Sequence, residues 1–223
     1  MVRLALPAPS VMMRQLTLGA DGAVPRDADV VRAVTAHIPA PLEQTVLDYR
    51  PLAPPSSDGT VRVLVVAARR ELVQTYTATA RAAGIEAAAV DVDVFAIARL
   101  VRQRRADVVI VHAGARHAGI SRLQADVPHW IGDVPVEADA GPDLLAGAVD
   151  RALALFSPEE PAPCAVLLSG GTAAAPGMVQ AFAARFRCPA ELIDPFAGLD
   201  GASGGPEYAV AVGLAIRRPE DGR

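Results

Sequence analysis

The chain has 223 residues, 52% of them hydrophobic, enough to bury a sizeable core in one domain or two small ones. A formal net charge of −4 excludes the basic electrostatic footprint of a nucleic-acid binder. All 21 basic residues are arginine, which removes lysine-dependent chemistry such as a Walker-type lysine or a Schiff base.

The predicted elements follow in chain order. "VMMRQLTL" (Val11 to Leu18) reads as a strand after a proline-bounded start. "DADVVRAVTAHI" (Asp27 to Ile38) spaces Val30, Val31, Val34 and Ile38 at helical intervals, and Pro39 and Pro41 end it. "EQTVLDYRPL" predicts another strand and "APPSSDGT" a polar turn. "VRVLVVAA" (Val61 to Ala68) is a near-continuous apolar run, the pattern of a strand covered on both faces. The helix "RELVQTYTATARAAG" follows, with Gly84 as its C-cap. "IEAAAVDVD" is a strand and "VFAIARLVRQRR" a helix whose last turn collects arginines.

A second cycle then begins. "ADVVIVHAG" is a strand with "HAGISRLQ" as its hairpin partner, and "HWIGDVPVEA" is a weaker third strand. "PDLLAGAVDRALALF" (Pro142 to Phe156) is an amphipathic helix with proline at N1. "CAVLLSGG" is a buried strand, "PGMVQAFAARFR" a helix, "AELIDPF" a short strand and "EYAVAVGLAIRR" the closing helix. Strands and helices alternate through both halves, which predicts an α/β architecture.

No apolar stretch approaches the roughly 18 residues that span a bilayer. "MVRLALPAPS" lacks the roughly 7–15-residue apolar core of a signal peptide. A cytoplasmic protein without direct membrane insertion is expected, with Cys164 and Cys188 reduced and packed as small hydrophobes.

Candidate sites are few. Gly170 and Gly171 end a buried strand, where open α/β folds bind ligands against backbone, but a lone glycine pair is a weak signal and the residues by themselves favour a plain tight turn needing positive φ. The helix after Pro176 offers an N-terminus to an anion. In "VVIVHAGARHAGISRL", His112, Arg116 and His117 cluster in a hairpin turn suited to phosphate, or are simply solvated. That stretch has no carboxylate for a metal. His129 and Trp130 have the size of a binding platform or of ordinary edge packing. Asp91 and Asp93 alternate along a strand and face one side, as a dyad or a helix N-cap region. No HExxH, P-loop, nucleophile elbow or GxGxxG after a strand is present. No catalytic residues and no metal site are therefore assigned.

Several stretches, in order, resemble the type IV pilus assembly protein PilM family, actin-like and related to FtsA. They are "IPAPLEQTVLDYRPL" (Ile38 to Leu52), "VRVLVVAARRELVQTYTATARAAGIEAAAVDVDVFAIARL" (Val61 to Leu100), "VLLSGGTAAAPGM" (Val166 to Met178), "IDPFAGL" (Ile193 to Leu199) and "PEYAVAVGLAIR" (Pro206 to Arg217). The first two are specific to that family; the glycine pair and closing helix are shared more widely among actin-like ATPases.

The resemblance implies an actin-like ATPase fold of the FtsA/PilM type, incomplete at the N-terminus and in the helical lobe. It implies a first-subdomain remnant over 1–26, an inserted subdomain plus return helix over 27–103 and a second actin-like subdomain over 104–223. It also implies that Gly170, Gly171 and Thr172, with Gly114 and Arg116, stand where the family contacts a nucleotide. Two features depart from the pattern. The Asp-x-Gly-Ser phosphate hairpin expected before "LALPAPSVMMRQLTL" has no counterpart, and the second phosphate loop reads His112-Ala113-Gly114 in place of Asp-x-Gly.

Phosphoryl transfer depends on such positioning groups, so a nucleotide-independent, non-enzymatic adaptor is expected. Its alternative is an actin-like switch binding ATP with Mg, Arg116 and His117 replacing the metal. The implied partners are the cytoplasmic tail of a PilN-like inner-membrane protein, held as a peptide in a groove, and other pilus assembly proteins. The implied location is the inner face of the cytoplasmic membrane. Pro39, Pro41, Leu42, Leu47, Tyr49, Arg69 and Tyr76 are the expected partner surface.

Overall fold

The computed structural model describes residues 1–19, 26–38, 40–102, 107–125, 127–137, 141–156 and 161–218. The chain forms two compact units, one built mainly from Met1–Leu6 and Ser10–Val90, the other from Pro7–Pro9 and Asp91–Arg217.

The first unit holds strands β1 (Val2–Leu6), β2 (Val11–Gly19), β3 (Thr45–Pro51), β4 (Thr60–Arg69) and β5 (Ala87–Val92), with helices α1 (Asp27–Thr35) and α2 (Arg70–Ala82). β2, β4 and β3 make an antiparallel three-stranded sheet with β4 in the middle. Val61, Val63 and Val65 of β4 point to one face, where Val30 and Val34 of α1 complete a buried cluster. Leu64 and Ala68 point the other way and are also buried. The apolar run of β4, broken only by exposed Arg62, is thus the consequence of cover on both sides. α2 ends as its sequence predicts: Gly84 takes φ +72°, its N–H donates to Arg81 C=O, and Ile85 N–H donates to Ala80 C=O, a Schellman closure.

β1 is a strand that the sequence reading does not include. It pairs with β5 in a two-stranded sheet, and Val2 N–H donates to Glu86 C=O at 2.8 Å. Five residues before a proline carry too short a pattern to separate strand from loop; the partner 80 residues on supplies the reason.

The second unit carries a five-stranded mixed sheet in the order β10-β9-β6-β7-β8. These are β6 (Val108–Ala113), β7 (His117–Gln124), β8 (Val127–Pro135), β9 (Ala165–Ser169) and β10 (Ala190–Leu192). β10, β9 and β6 run parallel, and β6, β7 and β8 form an antiparallel meander. Helices α4 (Pro142–Phe156) and α5 (Met178–Phe186) cover one face over Val109, Val111, Val166 and Leu168. α3 (Asp93–Leu100) and α6 (Ala209–Ala215) cover the other over Val108, Ile110 and Leu167. Strict alternation along β6 and β9 divides their side chains between the two cores. α3 and α6 pack so tightly that a Cβ on Gly213 would fall 2.0 Å from Ala96 O.

Two boundaries differ from the sequence reading. α3, grouped by sequence with 27–103, lies in the second unit, because Ile97, Ala98 and Val101 complete its core. α5 starts at Met178 and not Pro176, since a 3-10 turn over Gly171–Ala174 intervenes and Gly177 adopts φ +83°.

Candidate functional site

Parallel β6 and β9 end side by side, with His112 in register with Ser169. The chain leaves β6 into the turn Gly114–Arg116 and leaves β9 into Gly170-Gly171. This is the carboxyl edge of the parallel strands, where open α/β sheets place ligands. The structure therefore brings Gly114, Gly170, Gly171 and Thr172 together.

Each of these residues has an observed use. Gly170 takes φ +89°, and a Cβ there would lie 2.4 Å from Ala113 O. Its N–H donates to Pro206 C=O at 2.9 Å. Thr172 donates its hydroxyl to Gly114 C=O at 3.0 Å, and Gly114 N–H donates to His117 C=O at 3.0 Å. The glycine loop is thus latched onto the hairpin turn and onto the start of the closing helical segment. Gly171 differs: it is exposed, and its nearest neighbour to an added Cβ is Glu207 Cβ at 4.0 Å. Gly170 is required by internal packing, whereas Gly171 is exposed and has room for a Cβ in ordinary contact with Glu207.

The expected cluster of His112, Arg116 and His117 does not converge. His112 Nδ1 lies 3.0 Å from Ser169 Oγ, toward β9, and burial lowers its pKa, favouring the neutral ring. His117 Nδ1 lies 3.2 Å from Asp133 Oδ2, toward β8 on the opposite flank. Arg116 is exposed, and its C=O accepts Val136 N–H at 2.8 Å. Trp130 is half-buried against the α4–α5 core with its ring over Gly132; it packs along the edge strand β8.

The Asp91/Asp93 pair splits into two roles. Asp91 is buried in an ion pair with Arg99 at 2.6 Å, with Arg217 Nε at 3.3 Å. Asp93 opens α3, and its carboxylate accepts N–H groups from Val94 at 2.6 Å and Ala8 at 3.0 Å. Desolvation nonetheless raises its pKa to about 6. A comparable buried clamp, absent from the sequence reading, joins Arg122 of β7 to Asp107 (Nε to Oδ1 2.8 Å) and to Pro161 C=O at 2.6 Å. Pairs this distant in sequence become visible only once strand register is known. Among the described residues, no three His, Cys, Asp or Glu side chains gather as a metal site.

The expected partner surface separates into two sets. Pro41 and Leu42 are exposed at the 3-10 turn that precedes β3, Arg69 lies opposite Thr45, and Arg70 donates to Glu43 C=O and Thr45 C=O at 2.9 and 2.8 Å. Tyr76 is half-buried on α2. Leu47 and Tyr49 instead point to the α1 side and pack on the Val61–Val63–Val65 cluster, with Tyr49 donating to Asp27 Oδ1 at 2.6 Å. Pro39 lies outside the described residues. No residue of α2 is fully buried: Leu72, Val73, Tyr76, Thr77 and Ala80 form a half-buried stripe along one face.

Three comparisons bear on this geometry. A sequence profile described as type IV pilus assembly protein PilM matches residues 1–115. Among solved structures, a PilM-PilN type IV pilus biogenesis complex is similar at 21% identity and a TM-score of 0.78, over 97% of this chain and 79% of that one. A Bacteroides thetaiotaomicron protein with actin-like ATPase fold and unknown function is similar at 7% identity and a TM-score of 0.52, over 96% and 73%. These likenesses show an actin-like ATPase fold. No curated protein matches the sequence. Among the described residues, no helix is long and apolar enough to cross a membrane.

Proposed function

Because the chain belongs to the type IV pilus assembly protein PilM family, we propose that it serves pilus assembly as a nucleotide-independent adaptor. It binds the cytoplasmic tail of a PilN-like inner-membrane protein, and through that partner sits at the inner face of the cytoplasmic membrane beside other assembly proteins. The observation that carries the partner reading is α2. Thirteen residues of amphipathic helix leave a stripe of Leu72, Val73, Tyr76 and Ala80 that is only half-buried. Beside it, β3 forms one edge of its sheet. A short tail laid there adds apolar cover and backbone hydrogen bonds, the two currencies of peptide capture.

The adaptor reading also draws support from the glycine loop. Its strained residue and its hydroxyl are engaged in latching β9 to the hairpin turn, and the turn brings no carboxylate for Mg²⁺. The second reading, a switch that binds ATP with Mg, is favoured by exposed Gly171 and Arg116 at the same strand edge.

Calorimetry separates the readings. Titration with a peptide of the PilN-like tail is expected to give saturable heat, and titration with ATP and Mg²⁺ none. Heat with ATP that weakens in Arg116→Ala establishes the switch instead; no heat with the tail in a folded sample overturns the adaptor.

A further inference from the structure

Residues along an antiparallel strand turn their backbone groups alternately toward one neighbour and the other, so one ladder bond fixes which residues of β3 face its outer edge. Leu52 N–H donates to Arg62 C=O at 2.8 Å, continuing the register that pairs Pro51 with Val63 and Thr45 with Arg69. By that alternation Val46, Asp48 and Arg50 turn their backbone groups to β4, and Thr45, Leu47, Tyr49 and Pro51 turn theirs outward. Proline fits its place, since it has no N–H to give the ladder. Most of this edge is already engaged. Thr45 N–H donates to Leu42 C=O, and Thr45 C=O accepts the Arg70 guanidinium at 2.8 Å. Tyr49 N–H donates to Asp48 Oδ1 at 2.9 Å, and Pro51 has no donor. Leu47 lies between these guards, and neither its N–H nor its C=O has a hydrogen bond among the described residues.

We propose that the Leu47 backbone is the anchor of the partner tail, and that Arg70 and Asp48 set the tail's register on β3. This rests on the adaptor reading above, in which the tail lies along β3 beside α2; α2 packs against β3 and β4. An added strand, parallel or antiparallel, exchanges two N–H···O=C bonds with each outward residue that offers both groups. Leu47 gives its N–H to a tail carbonyl and its C=O receives a tail N–H. A slide of two residues keeps the faces of the tail but loses this pair. Toward Thr45 the tail meets a carbonyl held by a cation and an N–H used in the 3-10 turn. Toward Tyr49 it meets an N–H held by a carboxylate. Edge strands are guarded in such ways against indiscriminate pairing; here the guard leaves one gap. The Leu47 side chain packs on the Val61–Val63–Val65 cluster, which holds the anchor in place.

The test follows amide hydrogen exchange of the full chain by NMR, free and saturated with a synthetic peptide of the PilN-like tail, with calorimetry on the same samples. Leu47 N–H is expected to exchange fast in the free chain and to slow about tenfold or more on saturation. Asp48 is exposed, so Asp48→Ala removes the guard and leaves the fold. In that variant Tyr49 N–H should exchange faster than in wild type when free, and slow when the tail is added. Tail binding that leaves Leu47 exchange unchanged overturns the proposal alone, and so does protection confined to β2, the opposite edge of the sheet. A Tyr49 amide that exchanges alike in Asp48→Ala and wild type overturns the register role of Asp48. No heat with the tail overturns the adaptor reading and the anchor with it.

Discussion

Gly170 and Ala113 meet backbone to backbone: at φ +89°, any Cβ on Gly170 would fall 2.4 Å from the Ala113 carbonyl oxygen. That approach lets β9 leave the sheet beside the hairpin turn. The two adjacent glycines are consequently unequal, and substitution should separate them. Gly170→Ala incurs both a left-handed strain and a backbone clash, expected to cost about 2–4 kcal/mol by denaturant unfolding. Gly171→Ala should stay within about 1 kcal/mol of wild type. Equal losses at the two sites would contradict the packing account.

Asp93 predicts an unusual pH profile. Burial pushes its carboxyl up to about 6 from an ordinary value of 3.8, so the folded chain binds more protons between those values. The contribution of this group is therefore fully favourable below pH about 4 and is lost as pH rises through about 6, by up to about 3 kcal/mol. Asp93→Asn keeps an oxygen for the Val94 and Ala8 N–H groups and removes the buried charge. The variant should match wild type near pH 4 and gain on it by pH 8. An offset that does not change with pH excludes this origin.

Partner binding and core packing should come apart at Tyr76 and Leu47. Tyr76 belongs to the half-buried α2 stripe, whereas Leu47 packs on the α1-side cluster. Tyr76→Ala is expected to weaken binding of a PilN-like tail about tenfold or more with little change in Tm. Leu47→Ala should lower stability by about 1–3 kcal/mol. Undiminished tail binding by Tyr76→Ala, measured calorimetrically, moves the partner surface elsewhere.

The Arg122–Asp107 clamp predicts a large structural effect from a site outside the glycine loop and the hairpin turn. Arg122 has 3% side-chain exposure and Asp107 21%. Arg122→Ala strands that carboxylate and the Pro161 carbonyl and should cost about 3–5 kcal/mol in urea unfolding. A loss below about 1 kcal/mol would show that solvent reaches Asp107 readily.

The amino-acid sequence alone determined the alternation of elements, and with it the fold class. Period-2 and period-3.6 patterns are local: the double-sided apolar run of β4, the Schellman glycine of α2 and the proline that opens α4 can each be read within about a dozen residues. The motifs from Ile38 to Arg217 likewise stand in linear order, so the family was legible before any coordinates.

Register decided the rest. β1 became a strand by meeting β5, and His112 was turned away from His117 toward Ser169. Leu47 and Tyr49 were assigned to a packed face by the parity of the residues opposite them. The meaning of Gly170 depended on Ala113, 57 residues earlier. A one-residue slip in a strand reverses which side chains face each other. Such pairings are therefore properties of the assembled sheet, and no local pattern of residues carries them.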